Sequence, residues 1–263
     1  MTKLRILQLT DLHVFAEPNT RLKGIPTREC LQDVVAWVQQ QQAEFDHVIV
    51  TGDHTHDERP ESYAAVQQIL APWADRLWQI PGNHDDRAVL RSVFGERIAG
   101  AADARVNFSF RSGDWLFLGL DSHLPGQVPG AIGPEQMEWL TAQLAAADKP
   151  CVALFVHHPP MNVGSEWMDA IGLQDRTRLQ QVIRDTPKIR FVCCGHVHHE
   201  FTGAIGQTQV FSTPATGLQF DPAGAVPNFA TAAPGCRVVE IDGPQFSTYV
   251  VRLPEIRYTP NNE

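Results

Sequence analysis

The stretch that decides the fold runs from Ile189 to His199 and reads IRFVCCGHVHH. Its first six residues form an apolar run that ends at a glycine, which predicts a short buried strand over residues 189–194. After Gly195, His196 and His198 stand two residues apart, so their side chains share one side of any extended backbone. Two imidazoles presented together at a strand end are typical of a metal-ligand pair, although two solvated loop histidines would give the same letters.

Four upstream segments repeat this construction, in which a predicted strand runs directly into Asp, Asn or His. These strands and their polar clusters are residues 3–9 with Asp11 and His13, residues 46–51 with Asp53, residues 76–80 with Asn83 and His84, and residues 151–156 with His157. Helical spacing separates the strands, and this alternation predicts an α/β fold. In open α/β sheets ligands bind beyond the carboxyl ends of the strands, so the five clusters are expected to converge on one edge.

The remaining segments complete the predicted architecture. Helices are expected from Thr27, a candidate N-cap, and over residues 61–73, 135–147 and 175–185, with a hairpin of residues 105–111 and 115–120 and later strands over 208–212, 236–241 and 246–252. Residues 213–235 are rich in Ala, Pro and Gly and are expected to form a long loop, and residues 254–263 are expected to be frayed. Since no internal repeat or linker divides the chain, one domain over residues 1–263 is expected.

Composition excludes some classes of partner. The chain has 263 residues, of which 43% are hydrophobic, and this is enough for a substantial core. The formal net charge of −9 argues against a nucleic-acid-binding surface, so no nucleic-acid polymer is expected as a partner. An anionic substrate would instead need local attraction, such as that of metal ions. No window approaches the roughly 18 consecutive apolar residues of a membrane span, so no membrane association is expected.

Cysteine usage indicates the cellular compartment. The chain has five cysteines, an odd number without a disulfide-framework spacing, which favours reduced thiols. Cys193 and Cys194 are adjacent on a predicted strand and face opposite ways, so we expect buried small side chains rather than joint metal ligands. The opening residues, MTKLRILQLTD, lack the long apolar core and cleavage site of a signal peptide. These features together predict a cytoplasmic protein.

The donor atoms of the five clusters suit two metal ions better than one. The set is Asp11, His13, Asp53, Asn83, His84, His157, His196 and His198. It contains no thiolate, which excludes a structural zinc site of the cysteine type, and its imidazoles favour Mn, Fe, Co, Ni or Zn over Ca or Mg. Two ions about 3.5–4 Å apart can clamp the attacking and leaving oxygens of a phosphoryl displacement, and a bridging water becomes hydroxide near neutral pH.

Five sequence blocks carry a resemblance to a known family. They are Asp11-Leu12-His13, Gly52-Asp53, Gly82-Asn83-His84-Asp85, His157-His158-Pro159 and Gly195-His196-Val197-His198. In this order they resemble the signature blocks of the calcineurin-like metallophosphoesterases. Further features resemble the bacterial class III cyclic nucleotide phosphodiesterases, the 3′,5′-cyclic AMP phosphodiesterase group. These features are Arg21-Leu22-Lys23-Gly24, His56-Asp57-Glu58, Ser212-Thr213-Pro214, Gln219-Phe220, Asn228-Phe229 and Ala233-Pro234-Gly235.

The resemblance implies a fold and a role for each site residue. The implied fold is a four-layer αββα sandwich of two mixed β-sheets flanked by helices, with the loop-rich segment 213–235 near the site. The implied ligands are Asp11, His13 and His198 for the first metal, Asn83, His157 and His196 for the second, and Asp53 as the bridging carboxylate. His84 is implied to contact the phosphate and protonate the leaving oxygen, beside Asp53 as the other catalytic residue. Substrate binding is implied for His13, Asp53, Asn83, His84 and His198.

The implied activity is hydrolysis of 3′,5′-cyclic nucleotides, with cyclic AMP converted to AMP by attack of metal-bound hydroxide. The implied cofactors are two divalent transition-metal ions, iron or manganese first, with zinc or cobalt as alternatives. Since the five blocks fix the metals and barely constrain the substrate, a broader phosphodiesterase or phosphomonoesterase, for instance on glycerophosphodiesters, is the second hypothesis. A non-catalytic metal-binding scaffold is the third. Whether the protein forms a homo-oligomer stays open.

Several histidines stand outside the implied ligand set. His54 replaces a residue that is commonly apolar in the family, and it could support a ligand or compete for a metal. His158 and His199 adjoin ligands and are expected to have surface or supporting roles. His47, His56 and His123 are expected to be solvated or to cap helices. Arg21 and Asn228 could line the substrate pocket or be plain loop residues, and Asp121 is expected to be structural.

Overall fold

The computed structural model describes residues 3–41, 43–95, 98 and 104–261. Within these ranges the strands are β1 Lys3–Leu9, β2 His47–Thr51, β3 Leu77–Ile80, β4 Phe108–Ser112, β5 Trp115–Leu120, β6 Cys151–Val156, β7 Ile189–Cys194, β8 Phe201–Ile205, β9 Thr208–Ser212, β10 Gln219–Phe220, β11 Phe229–Ala230, β12 Gly235–Asp242 and β13 Gln245–Arg252. The helices are α1 Thr27–Gln40, α2 Pro60–Ile69, α3 Arg87–Phe94, α4 Gly133–Ala146, α5 Glu166–Ala170 and α6 Arg176–Arg184, and a 3₁₀ helix covers Ala71–Arg76. The expected alternation of strand and helix is confirmed.

Two mixed sheets contain most of these strands. Within the described ranges, the first sheet has five strands in the order β13-β12-β1-β2-β3, and its parallel part is β1, β2 and β3. The second has six strands in the order β4-β5-β6-β7-β9-β8, and β5, β6, β7 and β9 run parallel. The outer strands β4 and β8 join it as antiparallel hairpin partners of β5 and β9.

The two sheets pack face to face, and the alternation of side chains along each strand builds both the inner and the outer core. Ile6 of β1 and Phe155 of β6 belong to the cluster between the sheets. The neighbouring Leu7 packs outward against α1 and α2, and Val156 packs outward against α4 and α6. The arrangement is therefore the expected four-layer αββα sandwich.

The cysteines follow the same alternation. Cys193 lies in the cluster between the sheets and Cys194 in the outer cluster, so the prediction that they face opposite ways is confirmed. The five cysteines, all within the described ranges, are free and buried. Among the residues that the structure describes, no helix is long and apolar enough to cross a bilayer.

Some sequence expectations for the helices are wrong. Thr27 is the first residue of α1 rather than its N-cap, and its hydroxyl donates to the carbonyl of His13 at 2.7 Å. The helix expected over residues 61–73 ends at Ile69 and continues as a 3₁₀ helix, where Pro72 removes a backbone donor. The helices α3 and α5 and the strand β8 were not anticipated.

The C-terminal half contains more order than expected. The segment 213–235, expected to be a loop throughout, contains the short ladder of β10 and β11, which pairs Phe220 with Phe229. The terminal segment was expected to be frayed, but within its described part the backbone N–H of Asn261 donates to the carbonyl of Lys23 at 2.9 Å. Residues 262–263 lie outside the described residues.

Candidate metal centre

The five polar clusters meet where the carboxyl ends of β1, β2 and β3 approach those of β6 and β7. The expectation of one sheet edge is therefore wrong, because the strands belong to two sheets. Five of the implied ligands adopt the left-handed backbone region that non-glycine residues avoid. Their φ values are 53° for Asp11, 46° for His13, 52° for Asp53, 70° for His196 and 50° for His198. Such strain costs of order 1–3 kcal/mol per residue and clusters at functional sites.

Glycines allow the strand ends to approach each other. Gly52 has φ of 100°, and a Cβ placed there would lie 2.6 Å from Nδ1 of His157. A Cβ on Gly82 would overlap Oδ1 of Asp53. Because a side chain at either position would push β2, β3 and β6 apart, the close convergence of the clusters requires glycine at both.

The first group of donors contains Asp11, His13, Asp53 and His198, whose ligand atoms lie within 4.8 Å of one another. Nε2 of His198 lies 3.1 Å from Nε2 of His13 and 3.2 Å from Oδ1 of Asp11. Nε2 of His13 is 3.5 Å from Oδ2 of Asp53. These four side chains are almost completely buried, so their donor atoms form a compact cage of nitrogen and oxygen.

The second group surrounds the amide oxygen of Asn83. Oδ1 of Asn83 lies 3.1 Å from Nε2 of His157 and 3.0 Å from Nδ1 of His196. Oδ2 of Asp53 lies 3.5 Å from Nε2 of His157 and, as above, 3.5 Å from Nε2 of His13. One carboxylate therefore reaches both groups of donors.

Main-chain carbonyls determine which ring nitrogens face the centre. Nδ1 of His157 and Nδ1 of His198 each lie 2.8 Å from a carbonyl oxygen, and Nε2 of His196 lies 3.2 Å from another. Since a carbonyl oxygen can only accept, those nitrogens carry the proton and the opposite nitrogens present lone pairs to the centre. The lone pairs of these ring nitrogens thus lie about 3 Å from a carboxylate oxygen, an amide oxygen and one another. These electron-rich atoms repel one another, and they are the donors that divalent transition metals bind.

Burial and neighbouring charges shift the pKa values of the ionisable groups in different directions. Burial and the adjacent imidazoles hold the pKa of His13 and His196 well below the ordinary value, which keeps both rings neutral. Burial opposes ionisation of Asp11, but His198 beside it lowers the pKa of that carboxyl overall. Burial raises the pKa of Asp53, and His157 and His84 offset that rise only in part. Burial opposes protonation of His157, but Asp53 and Asp11 raise its pKa overall. The centre therefore combines two buried carboxylates with the neutral imidazoles of His13 and His196, a combination that attracts cations.

His84 lies at the edge of the centre and lines the adjoining cleft. Its backbone N–H donates to Oδ1 of Asp53 at 2.8 Å. Its ring packs at 5.1 Å from the ring of His13 and stacks at 4.6 Å on His56. This position leaves the imidazole of His84 next to the first donor group and in contact with the open side of the site.

The histidines of uncertain role lie behind the centre. His54 is fully buried, and its Nδ1 is 3.0 Å from Oδ2 of Asp85 rather than in either donor group. Nδ1 of His158 bonds with a serine hydroxyl at 2.8 Å and its Nε2 with a carbonyl at 2.9 Å, while its ring packs 4.4 Å from that of His196. Nδ1 of His199 lies 2.7 Å from the carbonyl of Val197. Each of the three rings thus has a hydrogen-bond partner within the protein, and His158 also lies in a group with His157 and His196 whose ligand atoms are within 4.8 Å of one another.

Sequence reasoning missed His56. It was expected to be solvated or capping, but it is half-buried, lines the cleft and places Nδ1 3.2 Å from Nδ1 of His13. Burial lowers the pKa of His56 to about 4. The available signal was its spacing, three residues after Asp53 in the same loop.

Other expectations about isolated polar residues have mixed outcomes. His47 is half-buried against Phe110, and His123 is 5% exposed, so the solvated or capping role expected for them is wrong. The structural role expected for Asp121 is confirmed, because its Oδ2 accepts from Nε of Arg87 at 2.6 Å.

A cleft of about 190 Å³ opens beside the centre. Its polar side is formed by His13, Lys23, Asp53, His56, Asn83, His84, His196 and His198, and its apolar side by Leu22, Val128, Trp167, Ile171, Leu218, Phe220 and Phe229. Phe220 stacks face to face on His198, with ring centroids 4.0 Å apart and an angle of 5°. Arg21 and Asn228 are not among the described residues that line the cleft, which favours the loop alternative for both.

Comparison with known proteins gives consistent matches. The family model described as Calcineurin-like phosphoesterase matches residues 4–200. The 3′,5′-cyclic adenosine monophosphate phosphodiesterase CpdA of Escherichia coli strain K12 is 33% identical, covering 98% of this chain and 93% of that protein. The protein of the same name from Pseudomonas aeruginosa is 31% identical, covering 95% and 90%. The 3′,5′-cyclic-nucleotide phosphodiesterase alr5338 of Nostoc is 30% identical, covering 95% and 93%.

Solved structures match the fold at lower identity. Purple acid phosphatase PPD1 from yellow lupin aligns with a TM-score of 0.69 at 15% identity, over 98% of this chain and 53% of that one. A dimetal phosphatase from Danio rerio aligns with a TM-score of 0.65 at 15% identity, over 95% and 98%. The ordered blocks, the sandwich with its buried donors, the family match and the near-full-length relatives agree, and the chain belongs to the calcineurin-like phosphoesterase family.

Proposed function

We propose that this protein is a dinuclear metal-dependent phosphodiesterase that hydrolyses 3′,5′-cyclic nucleotides, with cyclic AMP converted to AMP. The observation that carries the proposal is the amphipathic cleft, in which buried nitrogen and oxygen donors face a wall of aromatic and aliphatic side chains. A cyclic nucleotide has a matching division, since its phosphate is anionic and its base presents a flat aromatic face. The names of the nearly full-length relatives support the same substrate class.

The donor groups support a specific set of ligands. Asp11, His13 and His198 would hold the first metal, Asn83, His157 and His196 the second, and Asp53 would bridge them. The support for the bridge is that Oδ2 of Asp53 lies 3.5 Å from a ring nitrogen of each group. The imidazole, carboxylate and amide oxygen donors suit divalent transition metals, and the family resemblance implies iron or manganese first, with zinc or cobalt as alternatives. Such ions would polarise the phosphate and supply a nucleophilic oxygen near neutral pH.

The residues of the chain would orient the phosphate and move one proton. His84 stands beside the first donor group and on the cleft, from where its imidazole can donate to the departing ribose oxygen. The hydrogen bond from its backbone N–H to Asp53 fixes the distance between this acid and the centre. His13, Asn83 and His198 line the same cleft and would contact the phosphate with Asp53 and His84.

The apolar wall would bind the base and exclude water. Phe220 and Phe229 pair across the short ladder of β10 and β11, with ring centroids 5.9 Å apart. Trp167 meets Phe220 edge-on at 5.1 Å, so the aromatic rings support one another. Aromatic faces stack on nucleobases with little sequence preference. We therefore assign the segment 213–235 to the substrate side of a single phosphoesterase domain over residues 1–263.

The setting of the proposed reaction follows from the rest of the chain. Its substrate is a small molecule rather than a nucleic-acid polymer, because the net charge is −9. Five free buried cysteines agree with a reducing, cytoplasmic environment. No membrane partner is proposed.

A substrate panel tests the proposal. The manganese-loaded protein would be assayed on cyclic AMP, cyclic GMP, a glycerophosphodiester and an aryl phosphate monoester. We expect the highest kcat/KM on a 3′,5′-cyclic nucleotide, with a nucleoside 5′-monophosphate as the product. A higher kcat/KM on the glycerophosphodiester or on the monoester would replace the proposal by the broader phosphoesterase hypothesis. Metal-free protein without turnover on any substrate after metal addition would favour the scaffold hypothesis.

A further inference from the structure

The four imidazoles proposed as metal ligands are not oriented in the same way. His157, His196 and His198 each donate the outer ring N–H to a main-chain carbonyl, at 2.8, 3.2 and 2.8 Å. The outer nitrogen of His13 instead faces another imidazole, with its Nδ1 3.2 Å from Nδ1 of His56. The outer partner of a ligating histidine sets its tautomer and orientation, and for His13 that partner is His56.

The direction of this hydrogen bond follows from the position of the other ring nitrogen. Nε2 of His13 points into the first donor group, 3.1 Å from Nε2 of His198 and 3.5 Å from Oδ2 of Asp53. A neutral imidazole that presents a lone pair at Nε2 carries its proton at Nδ1. His13 therefore donates and Nδ1 of His56 accepts, which leaves the proton of His56 on its own Nε2.

The backbone holds the two imidazoles in register. The backbone N–H of Val14 donates to the carbonyl oxygen of His54 at 3.2 Å, and the backbone N–H of His56 donates to the carbonyl oxygen of Val14 at 3.1 Å. Asp57 then anchors the next residues, because its Oδ2 accepts from the backbone N–H of Ala16 at 2.9 Å. The contact between His13 and His56 is thus built by a short parallel bridge between the two loops rather than by side chains alone.

The ring of His56 also contacts the residue proposed as the proton donor. It stacks on the ring of His84 with centroids 4.6 Å apart and an angle of 22°, and it packs 4.9 Å from Phe15. We propose that His56 is a positioning residue of the metal centre, which accepts the Nδ1–H of His13, fixes the tautomer that presents Nε2 to the first metal, and supports the ring of His84. This inference rests on the proposed dinuclear site.

Two substitutions separate the hydrogen-bond acceptor from the ring. His56→Asn keeps an oxygen near the position of Nδ1, whereas His56→Phe keeps an aromatic face and removes the acceptor. Loss of an outer partner costs about 10- to 100-fold in metal affinity. We expect His56→Phe to lose the first Mn²⁺ at a chelator concentration about 10- to 100-fold lower than wild type does, and His56→Asn to stay within about 3-fold of wild type. The second Mn²⁺ should be retained alike in all three proteins.

The measurement is the Mn²⁺ content of the full-length protein across a chelator series, with thermal melting to verify folding. His47→Phe is the matched control, because His47 is also a half-buried histidine packed on aromatic rings but stands at the start of β2, outside the centre. Equal Mn²⁺ retention in His56→Phe and wild type would overturn the positioning role. Equal losses in the Asn and Phe variants would overturn the acceptor assignment. Wild-type protein that binds no Mn²⁺ would overturn both this inference and the proposed dinuclear site.

Discussion

At the scale of single residues, the centre depends on which atom of each side chain faces inward. Carbonyls and His56 hold the outer ring nitrogens, so lone pairs converge on Asp53 and Asn83. The ordered blocks of the sequence indicated which side chains would gather here. These blocks do not include His56, whose contact with His13 depends on a bridge between two loops; the signal for it in the sequence was its position three residues after Asp53.

The shared carboxylate gives the first prediction at this scale. We expect Asp53→Ala to lose both metals, because the substitution removes the buried carboxylate that balances the charge of both cations. Asn83→Ala should weaken mainly the second metal, since it removes a neutral oxygen from one group only. Metal analysis of purified variants by mass spectrometry checks both. Two ions at full occupancy in Asp53→Ala would show that the bridge assignment is wrong.

The leaving oxygen gives the second residue-scale prediction. His84→Ala should keep both metals and lose roughly two orders of magnitude in turnover on cyclic AMP, the range typical of a lost general acid. The loss should be much smaller for a nitrophenyl phosphodiester, whose leaving group departs without a proton. Steady-state rates on both substrates, with metal content measured on the same samples, make the comparison. Equal losses on the two substrates would assign His84 to phosphate binding instead.

At the scale of elements, strand position was predictable where apolar runs are continuous. β6 and β7 occupy the residues expected, 151–156 and 189–194, because buried parallel strands read as unbroken hydrophobic segments. α3 carried a usable signal, since Asp86 caps it by accepting from the backbone N–H of Val89 at 2.8 Å. α5 has only five residues, and β8 contains Gly203 and a partly exposed pattern, so neither shows periodicity.

The ladder of β10 and β11 gives a prediction about elements. Stacking of a base on an aromatic ring is worth about 1–3 kcal/mol, so Phe229→Ala should raise KM for cyclic AMP roughly 5- to 150-fold. Turnover of a glycerophosphodiester, which has no base, should change little. Phe229→Trp should restore a low KM for cyclic AMP.

Val226→Ala is the matched control for the Phe229 variants, because Val226 stands on the same segment and is 70% exposed. Its KM for cyclic AMP should equal that of wild type. An unchanged KM in Phe229→Ala would remove the aromatic wall from base binding.

At the scale of the whole molecule, the site exists because two sheets meet. Ile6 and Leu7 are both fully buried, one between the sheets and one beneath α1 and α2. Strands buried on both faces show no alternation in sequence, so periodicity could indicate α/β architecture but not the second sheet. The family resemblance predicted the second sheet. The packing of the two sheets brings the donor side chains that follow β1, β2 and β3 next to those that follow β6 and β7.

The most direct test of a dinuclear, metal-dependent cyclic nucleotide phosphodiesterase is one titration on one sample. Full-length protein is stripped with a chelator, then given Mn²⁺, Co²⁺ or Mg²⁺, and metal content and cyclic AMP hydrolysis are measured together. We predict that stripping abolishes turnover, that activity returns with Mn²⁺ or Co²⁺ as two ions per chain bind, and that Mg²⁺ restores little, because imidazole ligands suit first-row transition ions. Full turnover in the stripped protein, or full activity with Mg²⁺ alone, would contradict the account.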